Sequence, residues 1–260
     1  MRAAFNFFFF GVLLIPALPV LYWQGRRVRK NVPRLGEADE PAGKVESRKT
    51  DRKLHVLMLG ESTFAGVGVD RHENGIAGAL SACLAKNFEA TVEWQVVARN
   101  GYTVQKVRKK LLPEYCGKVP DIVIVGVGGN DAFKLNSPIF WQRGIRKLIR
   151  DLHRRFPSAP ILFAAMPPIR DFPAFPPLMQ SIIGGLAEMM GRVLEKEVQR
   201  HPNVYFQQPR VVLKDWLKET DSIMSVNEFF SDGVHPAPLA YKLWGESLGK
   251  FITEEKLLRA

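Results

Sequence analysis

The chain has 260 residues, of which 46% are hydrophobic and 24% charged; this is ample for a packed core and excludes a globally disordered chain. Its 21 Gly and 18 Pro exclude collagen-like and low-complexity classes, and its two cysteines, Cys83 and Cys116, cannot build a disulfide scaffold or a four-cysteine zinc site. The net charge is +11, yet residues 1–53 hold 11 Lys/Arg against 5 Asp/Glu, so the basicity is concentrated at the N-terminus and does not describe a nucleic-acid-binding domain.

Residues 3–23 carry no charge and are mostly Phe, Leu, Val, Ile and Ala. About 20 such residues span the hydrocarbon core as a helix. Tyr22 and Trp23 stand at one end, where amphipathic rings favour the headgroup layer, and Pro16 and Pro19 are expected to kink the second half. A cleaved signal peptide fits less well, because only Arg2 supplies a basic leader and Pro-Ala-Leu-Pro is a poor cleavage site. Arg26, Arg27, Arg29, Lys30 and Arg34 follow. By the positive-inside rule they place the rest of the chain on the cytoplasmic face, with a periplasmic or secreted location as the alternative. The same cluster suits anionic headgroups. Residues 31–53 mix Pro, Gly and charged residues and read as solvated linker. The expected division is a membrane anchor at 1–25, a basic linker at 26–53 and a domain at 54–256.

From residue 54 apolar, β-branched runs alternate with helical patterns. Leu54–Leu59, Val92–Ala98, Asp121–Val127, Ile161–Met166 and Val204–Gln207 read as buried parallel strands. Gly75–Phe88, Val104–Leu112, Trp141–Phe156, Leu178–Gln199 and Leu239–Ile252 read as helices between and after them. Such alternation predicts one α/β domain, a parallel sheet covered by helices on both faces. Ligands of such sheets bind beyond the carboxyl ends of the strands.

Those ends carry the chemistry. Ser62 follows Gly60-Glu61 directly after a strand; a serine there exposes its hydroxyl, with amides nearby for an anion. Gly101 ends the second strand, and Gly128-Gly129-Asn130-Asp131 the third. A glycine N–H and an Asn amide can both point at a developing oxyanion. Near the C-terminus stands Asp232-Gly233-Val234-His235, a spacing that sets a carboxylate against an imidazole, fixing its tautomer and stabilising its protonated form. Taken singly, Ser62 reads as a helix cap, Gly101 and Asn130 as turn residues, and the Asp–His pair as a surface pair. Their joint occurrence in this order, each at a strand end, sets them apart.

This order resembles the SGNH (GDSL-type) hydrolase superfamily. Gly60-Glu61-Ser62 is similar to its first block, Gly101 to its second, Gly128-Gly129-Asn130-Asp131 to its third and Asp232-Gly233-Val234-His235 to its fifth. Ser62–Val69 and Met166-Pro167-Pro168 look like the branch of arylesterases and esterases of N-acyl amino acid gene clusters. The resemblance implies a three-layer α/β/α sandwich with a five-stranded parallel sheet of flavodoxin-like order. It implies Ser62 as nucleophile, His235 as base, Asp232 as its orienter, and an oxyanion hole from the amides of Ser62 and Gly101 with the Asn130 side chain. The implied activity is hydrolysis of small-molecule acyl esters through an acyl-enzyme, without a cofactor. Glu61 stands where the family usually has Asp, which is expected to alter the bonds bracing the nucleophile turn.

Two further readings share the site: an O-acyltransferase or deacetylase tethered to the membrane, and an inactive binding module. Phe172 and Phe175, in a proline-rich loop after the fourth strand, line an acyl pocket or else only pin that loop. The five His are scattered, so no metal site is expected. Arg143, Arg146, Lys147, Arg150, Arg154 and Arg155 form a basic helical face.

Overall fold

The computed structural model describes residues 15–47, 49–207 and 225–258. Three mainly apolar strands build its centre. β2 (Lys53–Gly60), β3 (Thr91–Ala98) and β4 (Ile122–Gly126) pair in parallel, with Gly60 opposite both Ala98 and Gly126. β4 is buried on both faces, and β3 alternates between buried and half-buried residues. β5 (Ile161–Phe163) and β6 (Val204–Phe206) extend the sheet in parallel beyond β4. The parallel strands therefore run in the order β3-β2-β4-β5-β6, as expected for a flavodoxin-like sheet.

A sixth strand corrects the expectation of five. β1 (Ala42–Val45) pairs antiparallel with β3 and closes that edge, so the sheet is mixed. It lies in the segment read as solvated linker. Its sequence Ala-Gly-Lys-Val has no apolar alternation to betray it. Gly43 is required because a Cβ there would overlap the Trp94 indole.

Side chains alternate across the pleat. Leu57, Leu59, Val123, Val125, Ile161 and Phe163 point to one face, under α4 (Pro138–Arg155) and α5 (Pro177–Val198). The helical run Val104–Lys106, Val107–Leu111 and Leu112–Glu114, whose middle turn is a π-helix, covers the same face. Leu54, Val56, Met58, Ile122, Ile124 and Leu162 point to the other, under α2 (Ile76–Phe88) and α6 (Pro238–Glu254). The three layers are those expected. Part of the basic face of α4 is structural: Arg146 binds the buried Glu197 of α5 at 2.7 Å, and Arg155 donates to the carbonyls of Leu112 and Tyr115. Both cysteines are free thiols.

The expected membrane anchor falls mostly on residues 1–14, outside the described residues. Among the described residues no helix is long and apolar enough to cross a membrane. α1 (Leu18–Asn31) begins late in the apolar segment and runs on through Arg26, Arg27, Arg29 and Lys30, across the boundary drawn at residue 25. Two physical reasons account for this. Pro19 lies in the first turn, where proline is tolerated and starts a helix rather than kinking it. Lys and Arg are good helix formers and favoured near the C-terminal end of the dipole. Leu21 is buried in the core on the α4/α5 side, so α1 packs on the domain.

The sheet ends in two facing glycines for a steric reason. Phe64 lies across the ends of β2 and β4, and a Cβ on Gly126 would overlap its ring. Gly126→Ala is therefore expected to destabilise the protein by about 1–3 kcal/mol. In a Phe64→Ala background, where the space is empty, the same substitution is expected to be much milder. Urea unfolding of the four proteins measures the coupling.

Candidate active site

The carboxyl ends of β2, β3 and β4 lie side by side, so the three turns that leave them share one face. The first turn carries Ser62, which is mostly buried. Glu61 N–H donates to Gly126 O at 3.0 Å, and Val67 N–H returns to Ser62 O at 3.2 Å. Gly66 and Gly68 have φ of +66° and +107°, left-handed values that let the chain close here. Tyr241 of α6 donates to Val67 O at 2.7 Å and holds the turn from the opposite layer.

Glu61 organises the third turn. Its Oε1 accepts the Gly129 N–H at 2.7 Å; its Oε2 accepts the Asn130 N–H at 3.0 Å and the Asn130 side-chain amide at 2.9 Å. α3 (Gly129–Phe133) starts here, after Gly128 at φ +128°, so Glu61 meets the amides that open a helix. Glu61 stands where an altered bracing of the nucleophile turn is expected, and its carboxyl group ties that turn to Gly129 and Asn130. One hydrogen of the Asn130 amide is taken by Glu61; the second is left for another acceptor.

Asp131 ties the third turn to the second. Its carboxylate accepts the Val104 N–H and the Asn136 side-chain amide, each at 2.8 Å, in a buried setting. Gly101 lies three residues before Val104, at φ +75°. Among the described residues the amides of Ser62 and Gly101 have no hydrogen-bond partner. Met166 packs where a Gly128 Cβ would lie, and Pro167 lies beside Gly129, so Met166-Pro167-Pro168 borders the third turn.

The last element is the Asp232–His235 turn. Asp232 Oδ2 lies 2.7 Å from His235 Nδ1, while Oδ1 accepts the amides of Val234 at 2.9 Å and His235 at 2.7 Å. The Asp232 side chain is fully buried and that of His235 is 17% exposed. Burial works to raise the Asp232 pKa, but the His235 ring, the His235 and Val234 amides and the His235 charge outweigh it and hold the carboxyl below its ordinary value. An ionised carboxylate only accepts, so Nδ1 carries a hydrogen, and in the neutral ring the lone pair is on Nε2. Gly233, at φ +82°, accepts the Ala174 N–H at 3.1 Å.

The first and last turns touch. Ser231 Oγ shares its one hydrogen between Pro236 O at 3.1 Å and Gly68 O at 3.2 Å, and Pro236 O packs against Gly68. Ser62, Gly101, Asn130 and the Asp232–His235 pair thus belong to turns bonded to one another. No direct hydrogen bond joins the Ser62 hydroxyl to His235 among the described residues. Phe172 and Phe175 do not form an open acyl pocket. Both are buried, with ring centroids 5.4 Å apart, and Phe172 lies 5.4 Å from Phe230, so this loop buttresses the His235 turn. Among the described residues no cluster of His, Cys, Asp or Glu is arranged to hold a metal.

The family profile of GDSL-like lipases and acylhydrolases matches residues 58–243. No curated protein matches by sequence. Solved structures share the fold. The lipase/acylhydrolase of Enterococcus faecalis is 19% identical, with a TM-score of 0.53 over 78% of this chain and 96% of its own. A lipase from a goat rumen metagenome is 17% identical, with a TM-score of 0.58 over 75% and 95%. The psychrotrophic esterase EstA of a Pseudoalteromonas species, solved with monoethylphosphonate as inhibitor, is 15% identical, with a TM-score of 0.55 over 78% and 98%.

Burial pushes the Glu61 carboxyl up to about 7; the Asn130 amide and side chain pull it down, the Asp131 charge adds to the rise, and the Gly129 amide again opposes it. A raised carboxyl pKa means the folded chain holds a proton that the unfolded chain has released. The contribution of Glu61 to stability is therefore complete below about 4.5 and is lost as pH rises through about 7. Glu61→Gln removes this dependence, although its amide opposes the donors and lowers stability at every pH. Between pH 5 and 8 the wild type should lose roughly 2–3 kcal/mol relative to Glu61→Gln. Urea titrations at the two pH values check this.

Proposed function

Since the chain belongs to the GDSL-like lipase/acylhydrolase family, we propose that it is a serine hydrolase cleaving carboxylic esters, with Ser62 as nucleophile, His235 as base and Asp232 as its orienter. The observation that carries this reading is the 2.7 Å Asp232–His235 contact on a turn bonded to the one that bears Ser62. Nε2 of His235 takes the Ser62 proton as Oγ attacks the ester carbonyl. The tetrahedral oxyanion receives the N–H groups of Ser62 and Gly101 and the second Asn130 amide hydrogen. Collapse expels the alcohol, protonated by the His235 imidazolium. Water, deprotonated by Nε2, then attacks the acyl-enzyme; the acid leaves and the Ser62 hydroxyl is restored. No cofactor enters these steps.

α1 supports membrane attachment. Leu18, Val20, Tyr22 and Trp23 are exposed, the last two at 68% and 61%, and Arg26 and Arg27 lie over the Tyr22 and Trp23 rings. Exposed aromatic rings beside a basic turn suit the headgroup layer of an anionic bilayer. The excess of cations after the apolar segment favours the cytoplasmic face. Replacing Arg26, Arg27, Arg29 and Lys30 by Gln should weaken sedimentation of the full chain with anionic vesicles and leave turnover of a soluble ester unchanged.

Ser62→Ala and His235→Ala should lower kcat on short-chain esters by about 10⁴ or more, and Asn130→Ala by about 10²–10³, with little change in KM. A fluorophosphonate should label the wild type and not Ser62→Ala. A panel of chain lengths measures acyl preference. Turnover that survives Ser62→Ala contradicts the assignment.

A further inference from the structure

The stretch after α1 is bonded to the catalytic face. Ala38 N–H donates to Ala65 O at 2.9 Å, Asp39 N–H to Asp70 O at 2.8 Å, and His72 N–H returns to Asp39 O at 3.0 Å. Farther along, Val96 N–H donates to Pro41 O at 2.7 Å. Gly66 is bare where this strap crosses it: a Cβ there would lie 2.5 Å from that of Ala38. The strap is therefore laid along the turn that carries Ser62.

Its first anchored side chain is Glu37. Oε1 accepts the Asn100 N–H at 2.7 Å and Oε2 the Arg99 guanidinium at 2.9 Å. Asn100 is the residue before Gly101. The turn needs such support. Gly101 has no Cβ, and nothing lies within 4 Å of the place one would occupy, so side-chain packing does not hold its soft dihedrals. Arg99 N–H is tied to Gly60 O at 3.2 Å, and Tyr102 N–H to Arg99 O at a long 3.4 Å. Lys134 Nζ donates to Gly101 O at 3.3 Å, and Glu37 supplies the shortest of these bonds, also charge-assisted.

We propose that Glu37 is a positioning residue: by holding the Asn100 amide it orients the turn that aims the Gly101 N–H at the oxyanion. This rests on the hydrolase reading above. An oxyanion donor acts as charge develops, so its displacement lowers kcat and leaves KM nearly unchanged.

The test compares Glu37→Ala, Glu37→Gln and Glu37→Asp with wild type and Ser62→Ala on one short-chain ester, using the full chain. A trifluoromethyl ketone serves as tetrahedral-adduct inhibitor. Glu37→Ala should lower kcat about tenfold and weaken the ketone equally, with KM within about twofold; this is part of the effect of losing one donor outright. Glu37→Gln keeps an acceptor for the Asn100 amide and should remain within about threefold of wild type. Glu37→Asp, one methylene short, should behave like Glu37→Ala with the charge kept, and replaces it where Glu37→Ala does not fold. An unchanged kcat in Glu37→Ala, a rise in KM alone, or a loss as large in Glu37→Gln overturns the proposal while Ser62-dependent turnover stands. A wild type without Ser62-dependent turnover overturns both readings.

Discussion

A carboxylate buried at the end of the central strand must be met by hydrogen-bond donors, and the catalytic face is arranged around meeting it. Glu61 leaves β2 beside Ser62 and receives the amides of Gly129 and Asn130 and the Asn130 side chain. Burying a carboxyl group without partners is costly, and even with these donors burial holds the Glu61 pKa up at about 7. Met by these donors, it locks the nucleophile turn to the start of α3. The position of Asn130 relative to Ser62 is thus set by directed hydrogen bonds to this buried carboxyl group rather than by apolar packing.

The other contacts extend the same logic. Asp131 reaches the Val104 amide and draws in the Gly101 loop. Ser231 reaches Gly68 and brings the Asp232–His235 turn to the first turn. Glu37 reaches Asn100 from the strap. In each case a side chain caps a backbone group on a neighbouring turn. Such bonds are directional, so they hold loops at angles that apolar packing alone leaves soft. The aromatic cluster of Phe133, Phe172, Phe175 and Phe230 then supplies bulk behind the His235 turn.

The sheet was legible because parallel strands buried on both faces are continuous apolar runs, and Asp121–Val127 shows this most clearly. Asp232 and His235 were legible because both partners of the contact lie within one turn. The target of Glu61 was not: its donors lie in a distant turn, and two of them are backbone amides, which carry no residue-type signal. Glu37 escaped for the same reason. β1 escaped because a short edge strand containing Gly and Lys has no alternation. The end of α1 was misplaced because charge was taken to mark the end of a helix, whereas Arg and Lys extend one readily. Phe172 and Phe175 left pocket and packing as equal readings in the sequence; only their ring contacts decide between them.

The central claim is that Ser62, the oxyanion donors and the Asp232–His235 pair act on one atom. A crystal structure of the protein after reaction with an alkyl fluorophosphonate tests it most directly. The account predicts phosphorus bonded to Ser62 Oγ, with one phosphoryl oxygen within hydrogen-bond distance of the Ser62 and Gly101 amides and the Asn130 side chain, and His235 Nε2 near the Ser62 oxygen. Phosphorus on another residue, or a phosphoryl oxygen turned to solvent away from those donors, would contradict it.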